Sequence, residues 1–281
     1  MVVETSKIGY DYMTIALTKS RLEKGLIAVP LSFSKWLPKN NRTIGIYLDD
    51  SDELQKVSFS SYTSSTHENR IGGMKQWFEK HKIRDRDEVV IQIIDKERFI
   101  YRLIPEDTFV KRTRNLQLSM DNCKDEEELS NNIELLSNWT RSDLNRVIVN
   151  EFIREVKTPI TSRDYANIRV NRAKESVPAK LRYLLTNIYK GHCQICDFWF
   201  LKRNKDPYFE IHHIDNNKGH HPKNTVVVCG NCHNQFEYAD VKYDFNCNSW
   251  LVSVSFNEII FKVNQLFLDL EYKEFHKEIF I

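Results

Sequence analysis

Apolar residues in roughly the first 108 positions come in short runs separated by turn residues. The runs "TIALT", "GLIAVP", "TIGIYLDD", "LQKVSFS", "EVVIQIID" and "RFIYRLIP" are rich in β-branched and aromatic side chains. That pattern predicts an all-β barrel or sandwich. One stretch departs from it: "GGMKQWFEKHKI" places Met74, Trp77 and Phe78 at i, i+3, i+4 and predicts a helix. Residues 111–177 are polar and charged, and predict a helical connector. A helix is expected over Asp125–Ser137, with Leu129, Ile133 and Leu136 on one face. A second is expected in "SDLNRVIVNEFIREV", with Leu144, Val147, Ile148 and Phe152, and a third, short one in "TSRDYANIRVNRAKES". From 178 onward a further section begins. Pro178 at the first helical position, Leu181, Leu184, Leu185 and Ile188 along one stripe, and Gly191 as a stop delimit a helix. In the tail "SFNEIIFKVNQLFLDL", Ser255 and Glu258 read as a capping box. Phe256, Ile259, Ile260, Val263, Phe267 and Leu270 then predict a packed helix. The expectation is an α+β chain: a β domain over 1–110, a connector over 111–177 and a C-terminal domain over 178–281.

Composition narrows the function classes. The chain has 281 residues, 41% of them hydrophobic, enough to build cores. The net charge is only +2, so any nucleic-acid surface must come from local clusters of Lys and Arg. The start "MVVETSKIGYDY" has no basic segment followed by an apolar run, so no secretory signal is expected. No run of about 18 apolar residues occurs, which argues against a membrane span. A soluble, cytoplasmic protein is the expectation. In that setting the six cysteines are not a disulfide framework.

Four of them form two CxxC pairs, Cys193/Cys196 and Cys229/Cys232, and Cys123 and Cys247 stand alone. Two CxxC turns present four thiolates at a spacing that closes a tetrahedral Zn²⁺ site with no open position. Between them lies "FEIHHIDNNKGHHPKNTVVVCGNCHNQFE", with His212, His213, His220, His221, Asn224 and His233. With zinc satisfied by sulfur, these polar groups are available for another task. The segment reads as strand, Gly/Asn/Pro-rich loop, strand and short helix. Glu210 lies two residues before His212 and would share its strand face.

The combination "C-x2-C … EIHHI … NTVVVC-x2-CH" resembles the HNH nucleases and their ββα-metal fold, over roughly residues 191–238. The resemblance implies that His213 is the general base that takes a proton from the attacking water. It implies that His212 and His233 hold a catalytic divalent cation, Mg²⁺ or Mn²⁺, and that Asn224 holds the hairpin loop that positions the base. Many relatives carry another histidine four residues after the one matched by His233. Here Glu237 stands at that position, either as a third ligand or as a solvated carboxylate. One tension is local: neighbours in a regular strand face opposite ways, so His212 and His213 serve one site only if the strand ends or bends at "IDNNKG".

The first section is similar to the DNA-binding pseudobarrel of the plant B-three transcription factors, which also serves as a recognition domain in some restriction enzymes. The stretches that carry this are "ALTKSRLEKGLIAVP", "RTIGIYLDD", "GGMKQWFEKHKIRDRDEVVIQIID" and "RFIYRLI". The resemblance implies two arms on DNA, one with Lys19, Arg21 and Lys24, the other with Ser64, Thr66, His67, Asn69 and Arg70. Lys202 and Arg203, inside the nuclease-like segment, are further candidates for phosphate contact.

Together the two resemblances imply a type II restriction-like endonuclease that cuts double-stranded DNA. Structural Zn²⁺, catalytic Mg²⁺ or Mn²⁺, a homodimer and a companion DNA methyltransferase in a prokaryotic cytoplasm would go with it. Rival readings are a nuclease dependent on modified bases, a mobile-element or homing nuclease, and a non-catalytic zinc DNA-binding protein.

Overall fold

The structure, a computed structural model, describes residues 2–5, 7–61, 68–162 and 177–265. The chain divides into two compact units, 1–119 with 134–143, and 120–133 with 144–281. Among the described residues no helix is long and apolar enough to cross a membrane.

Unit one is built on β1 (Val2–Thr5), β2 (Tyr12–Ala16), β3 (Ile27–Val29), β4 (Arg42–Leu48), β5 (Leu54–Ser60), β6 (Asn69–Ile71), β7 (Glu88–Asp95) and β8 (Ile100–Pro105). They form one eight-stranded, barrel-like sheet in the order β1-β2-β7-β8-β4-β5-β6-β3. β4 and β8 run parallel and the other neighbours antiparallel. The six apolar runs of the sequence supply six of these strands. β6 has only three residues and no alternation to betray it. The inward positions, Ile15, Val29, Ile46, Phe59, Val89, Ile91, Tyr101 and Leu103, share one core with Phe33, Trp77 and Phe78. Helix α1 (Lys19–Lys24) ends on Gly25, whose φ of 64° is the left-handed conformation that a glycine adopts without strain. Helix α2 (Lys75–Lys80) is held by Asp49, which accepts from Trp77 Nε1 at 3.1 Å and meets His81 Nε2 at 2.8 Å. Helix α3 (Glu106–Asp121) has sixteen residues. It falls where the sequence looked merely charged, because its apolar positions are sparse.

Unit two contains α5 (Leu144–Val156) and α6 (Ala179–Tyr189); α4 (Glu126–Thr140) begins in this unit and ends in the first. Pro178 stands just before α6 rather than inside its first turn. The short helix expected over 161–176 falls almost wholly outside the described residues. The C-terminal helix expected from Ser255 is corrected. Residues there form β12 (Leu251–Phe256) and β13 (Ile259–Lys262), which with β11 (Val241–Phe245) make a three-stranded antiparallel sheet. Asn257 and Glu258, with φ of 47° and 74°, turn the chain between Phe256 and Ile259. Two successive left-handed residues are the geometry of a two-residue hairpin turn. Val254, Phe256 and Val263 are buried, whereas Ile259 and Ile260 are 64% and 75% exposed. Val254 and Phe256 alternate inward along β12 as strand residues do, and a helix that buried Phe256 would have buried Ile259 and Ile260 on the same face. Phe267 and Leu270 lie outside the described residues.

A charged network ties the helices of unit two. Asp121 accepts from Arg154 at 2.7 and 2.9 Å and from Lys180, and Glu151, fully buried, accepts from Arg154 Nε at 2.7 Å. Burial alone would raise the Asp121 pKa; the bonds from Arg154 and Lys180 outweigh it, and the carboxyl titrates below its usual 3.8. A depressed folded pKa contributes stability above the unfolded value, lost as pH falls through the folded one. Asp121→Asn should therefore cost about 1–2 kcal/mol in denaturant unfolding at pH 7. The difference from wild type should shrink as the pH is taken below about 4.

Candidate functional site

Two chain segments converge at four sulfur atoms. Cys193 and Cys196 lie in the turn after α6, where Gly191 (φ 80°) lets the backbone pass Pro207; a Cβ there would sit 2.4 Å from that ring. Cys229 caps helix α7 (Gly230–Tyr238) by accepting the Cys232 N–H at 3.5 Å, and Cys232 lies in its first turn. All four Sγ atoms fall within 4.8 Å of one another, with Cys196 3.7 Å from Cys229 and 3.6 Å from Cys232. A tetrahedron with Zn–S bonds of about 2.3 Å has edges of roughly 3.8 Å. The residues fit a zinc ion. Hydrogen bonding from Cys232 takes the Cys193 thiol down to about 4, and the same pairing pushes Cys232 up. Gln194, between the first two cysteines, fastens the turn. Its Oε1 accepts from Val227 N at 2.8 Å and its Nε2 donates to Asn264 O at 2.9 Å. Cys123 and Cys247 stand apart from this cluster.

The strand, loop, strand, helix reading corresponds to β9 (Glu210–His213), the turn through 214–224, β10 (Thr225–Val228) and α7. β9 and β10 pair antiparallel, with His213 opposite Thr225 and His212 opposite Val226. His212 is buried; its ring stacks on Phe236 at 4.1 Å and meets His233 edge-on at 5.4 Å. His212, His233 and Glu237 each offer a donor atom within 4.8 Å of the others. His233 and Glu237 are one turn apart on α7 and so share a face. The His212 Nε2 is buried and has no hydrogen-bond partner among the described residues. Burial, followed by the nearby His233 and His213, takes its pKa down to about 4, so the ring stays neutral as a metal ligand must. An orphaned nitrogen beside an imidazole and a carboxylate fits a divalent cation.

Glu210, on the same strand face as His212, bonds His233 Nδ1 through one oxygen and accepts the Tyr208 hydroxyl through the other. With Nδ1 engaged, His233 presents Nε2 to the cluster, as in metal sites where a carboxylate orients a ligating imidazole. Alternation in β9 sends His213 the other way, to His220, with His213 Nε2 and His220 Nδ1 2.9 Å apart. Asn224 is buried and holds the loop from inside. Its Oδ1 accepts from Asp215 N at 3.0 Å, and its Nδ2 donates to Asp215 O, Lys218 O and Gly219 O at 3.0–3.3 Å. His221 is a structural residue: buried, accepting from Lys223 N at 3.1 Å and bonded to Thr158 O at 3.0 Å.

The structure brings one candidate DNA residue from each proposed arm, Arg21 and Arg70, to the same carboxylate. Lys19, Arg21 and Lys24 lie on α1, with Arg21 bonded to Glu68 at 2.5 Å; Arg70 bonds the same carboxylate at 2.8 Å. Asn69 is buried in β6, which withdraws it from the surface. Ser64, Thr66 and His67 lie outside the described residues. Lys202 and Arg203 are exposed, following the exposed Phe198, Trp199, Phe200 and Leu201.

Two outcomes test this geometry. Elemental analysis should find one zinc per chain, and Cys229→Ser should lose it together with several kcal/mol of stability in thermal unfolding. Glu210→Gln should weaken Mn²⁺ binding in calorimetry about 10- to 100-fold while leaving the zinc in place.

No family model matches the chain, and no curated protein matches it. Among solved structures, the Arabidopsis FUS3–DNA complex is similar over 33% of this chain and 92% of that chain, at 12% identity and a TM-score of 0.28. The N-terminal domain of Helicobacter pylori LlaJI.R1 is similar over 32% of this chain and 76% of that chain, at 15% identity and a TM-score of 0.25. Likenesses this slight leave the reading of function to the residues of the chain itself.

Proposed function

We propose that the chain is a metal-dependent endonuclease of the HNH type that hydrolyses phosphodiester bonds in double-stranded DNA, restriction-like in organisation. The observation that carries the reading is the convergence of His212, His233 and Glu237 on one hairpin and helix. His213 is the next residue of that strand, and four cysteines tie the same elements. His212, His233 and Glu237 would hold Mg²⁺ or Mn²⁺, and the four cysteines a structural Zn²⁺. Bound there, the divalent ion supplies positive charge to the scissile phosphate and its leaving oxygen.

The chain's own residues supply the rest. His213 would take the proton of an attacking water, a task for which an imidazole is a competent general base at cellular pH. Asn224 fixes the loop that follows His213 and so fixes where the base stands. Glu210 aims His233. The four thiolates leave no open coordination position, so the sulfur site holds structure and the histidine–carboxylate site carries the reaction.

Lys19, Arg21, Lys24, Arg70, Lys202 and Arg203 would contact DNA. Arg21 and Arg70 both lean on Glu68, so a phosphate must compete with that carboxylate for them. Ser64, Thr66 and His67 complete the proposed second arm. Restriction-like organisation would bring a homodimer on a palindromic site and a companion methyltransferase. The test is digestion of unmodified and base-modified DNA by the purified chain with Mg²⁺ or Mn²⁺. Wild type should cut, and His213→Ala should lose about 10²-fold or more in rate while keeping DNA affinity and zinc. Cutting of modified DNA alone would assign a modification-dependent enzyme. No cutting of either DNA with either ion would leave a non-catalytic zinc DNA-binding protein.

A further inference from the structure

We infer that His220 is a positioning residue for the proposed base: it holds the His213 imidazole through one shared N–H and fixes the ring for proton abstraction. The inference rests on the nuclease reading above. In the sequence His220 is one more loop histidine, seven positions beyond His213. Folding brings His213 Nε2 to 2.9 Å from His220 Nδ1, with the ring centroids 4.9 Å apart and the planes inclined at 67°. Two imidazole nitrogens at that distance share a single hydrogen between them, because two N–H groups facing each other would repel. For abstraction it must sit on His213 Nε2 with His220 Nδ1 accepting, so that His213 Nδ1 is the nitrogen that takes the proton from water. The edge-on arrangement keeps the bond in the plane of one ring and restricts rotation of the other.

The contact is useful only if His220 is itself held, and the chain holds it on both sides. Gly219 N donates to Thr161 O at 2.7 Å, and Gly219 O accepts from the Asn224 amide at 3.1 Å. A Cβ on Gly219 would lie 2.7 Å from Thr161 Oγ1 and 3.3 Å from the Thr161 carbonyl oxygen, so a larger residue would crowd that approach. His221, next on the other side, is 2% exposed and bonded to Thr158 O at 3.0 Å. The backbone carrying His220 is therefore clamped at adjacent residues by α5's C-terminal extension and by Asn224. The interior of the loop sets the ring of His220, and His220 sets the ring of His213. Supporting bonds of this kind matter because small misplacements of a reacting group cost large factors in rate.

Asparagine discriminates positioning from mere space-filling. Its amide reaches the place of imidazole Nδ1, whereas glutamine reaches that of Nε2. In single-turnover cleavage of duplex DNA with Mg²⁺, His220→Ala should slow the reaction at least about tenfold. DNA affinity and zinc content should stay at wild-type values. His220→Asn should recover most of the rate, and His220→Gln should not. Alanine cleaving as fast as wild type or faster overturns the proposal, the contact then being idle or a block. So does a loss that asparagine does not restore or that comes with loss of zinc, since the residue then only supports the fold. A measurement without catalysis separates this from the nuclease reading. ¹⁵N-labelled wild type, free of DNA and divalent ion, should show a through-hydrogen-bond nitrogen–nitrogen coupling between His213 and His220. Its absence overturns the pair. Its presence in a chain that never cuts DNA leaves the pair intact and overturns the base assignment.

Discussion

The candidate site depends on one constraint, the gathering of four sulfur atoms from two segments more than thirty residues apart. Cys193 and Cys196 come from the turn after α6, and Cys229 and Cys232 from the start of α7. The hairpin of β9 and β10 has only four residues in each strand. A hairpin that small is marginal alone, yet it must set an imidazole, a carboxylate and a second imidazole in register. The cysteine cluster joins both sides of the hairpin to the core formed by Val226, Val228, Phe236, Leu251, Val254 and Phe256. Once α7 is fixed at its first turn by Cys229 and Cys232, His233 and Glu237 can face only one way.

The site then separates its duties by strand alternation. Even positions of β9, Glu210 and His212, face α7, where one buried and one carboxylate-oriented imidazole meet Glu237. The odd position, His213, faces the loop, where His220 and the Asn224-braced turn receive it. The tension in the sequence, two adjacent histidines for one reaction, is thus met by different means on each face. The groups proposed to hold a cation gather on the helix side, and the proposed base, His213, stands beside them on the loop side. β9 ends at His213, and the chain turns at once into the stretch that Asn224 organises.

How much of this was legible in the sequence follows from the range of each signal. The CxxC spacing and the His-His, Asn, His order are local patterns, and residue types alone put them in view. Six strands of the first unit, β2, β3, β4, β5, β7 and β8, announced themselves by β-branched or aromatic runs, whereas β1 and β6 did not; β6, Asn69–Ile71, offers two polar residues and one apolar one. The β12–β13 hairpin reads as a helix in the sequence because Phe256, Ile259, Ile260 and Val263 fall at i, i+3, i+4 and i+7, although the chain reverses between Phe256 and Ile259. The Asn257–Glu258 turn was the signal to weigh, and neither residue is the glycine that usually marks it. The partnerships Glu210–His233 and His213–His220 span 23 and 7 positions. No local pattern encodes them; they follow from strand face and loop course, which only the fold supplies.

The proposed function requires two metal centres with different tasks, one of sulfur and one of histidine and carboxylate beside His213. Anomalous diffraction from crystals of the chain with duplex DNA and Mn²⁺ tests it most directly. The account predicts a zinc signal among Cys193, Cys196, Cys229 and Cys232. It predicts a separate manganese signal bounded by His212, His233 and Glu237, with a DNA phosphate at it and His213 alongside. Manganese absent from that cluster, or DNA bound with no phosphate near His213, would contradict it.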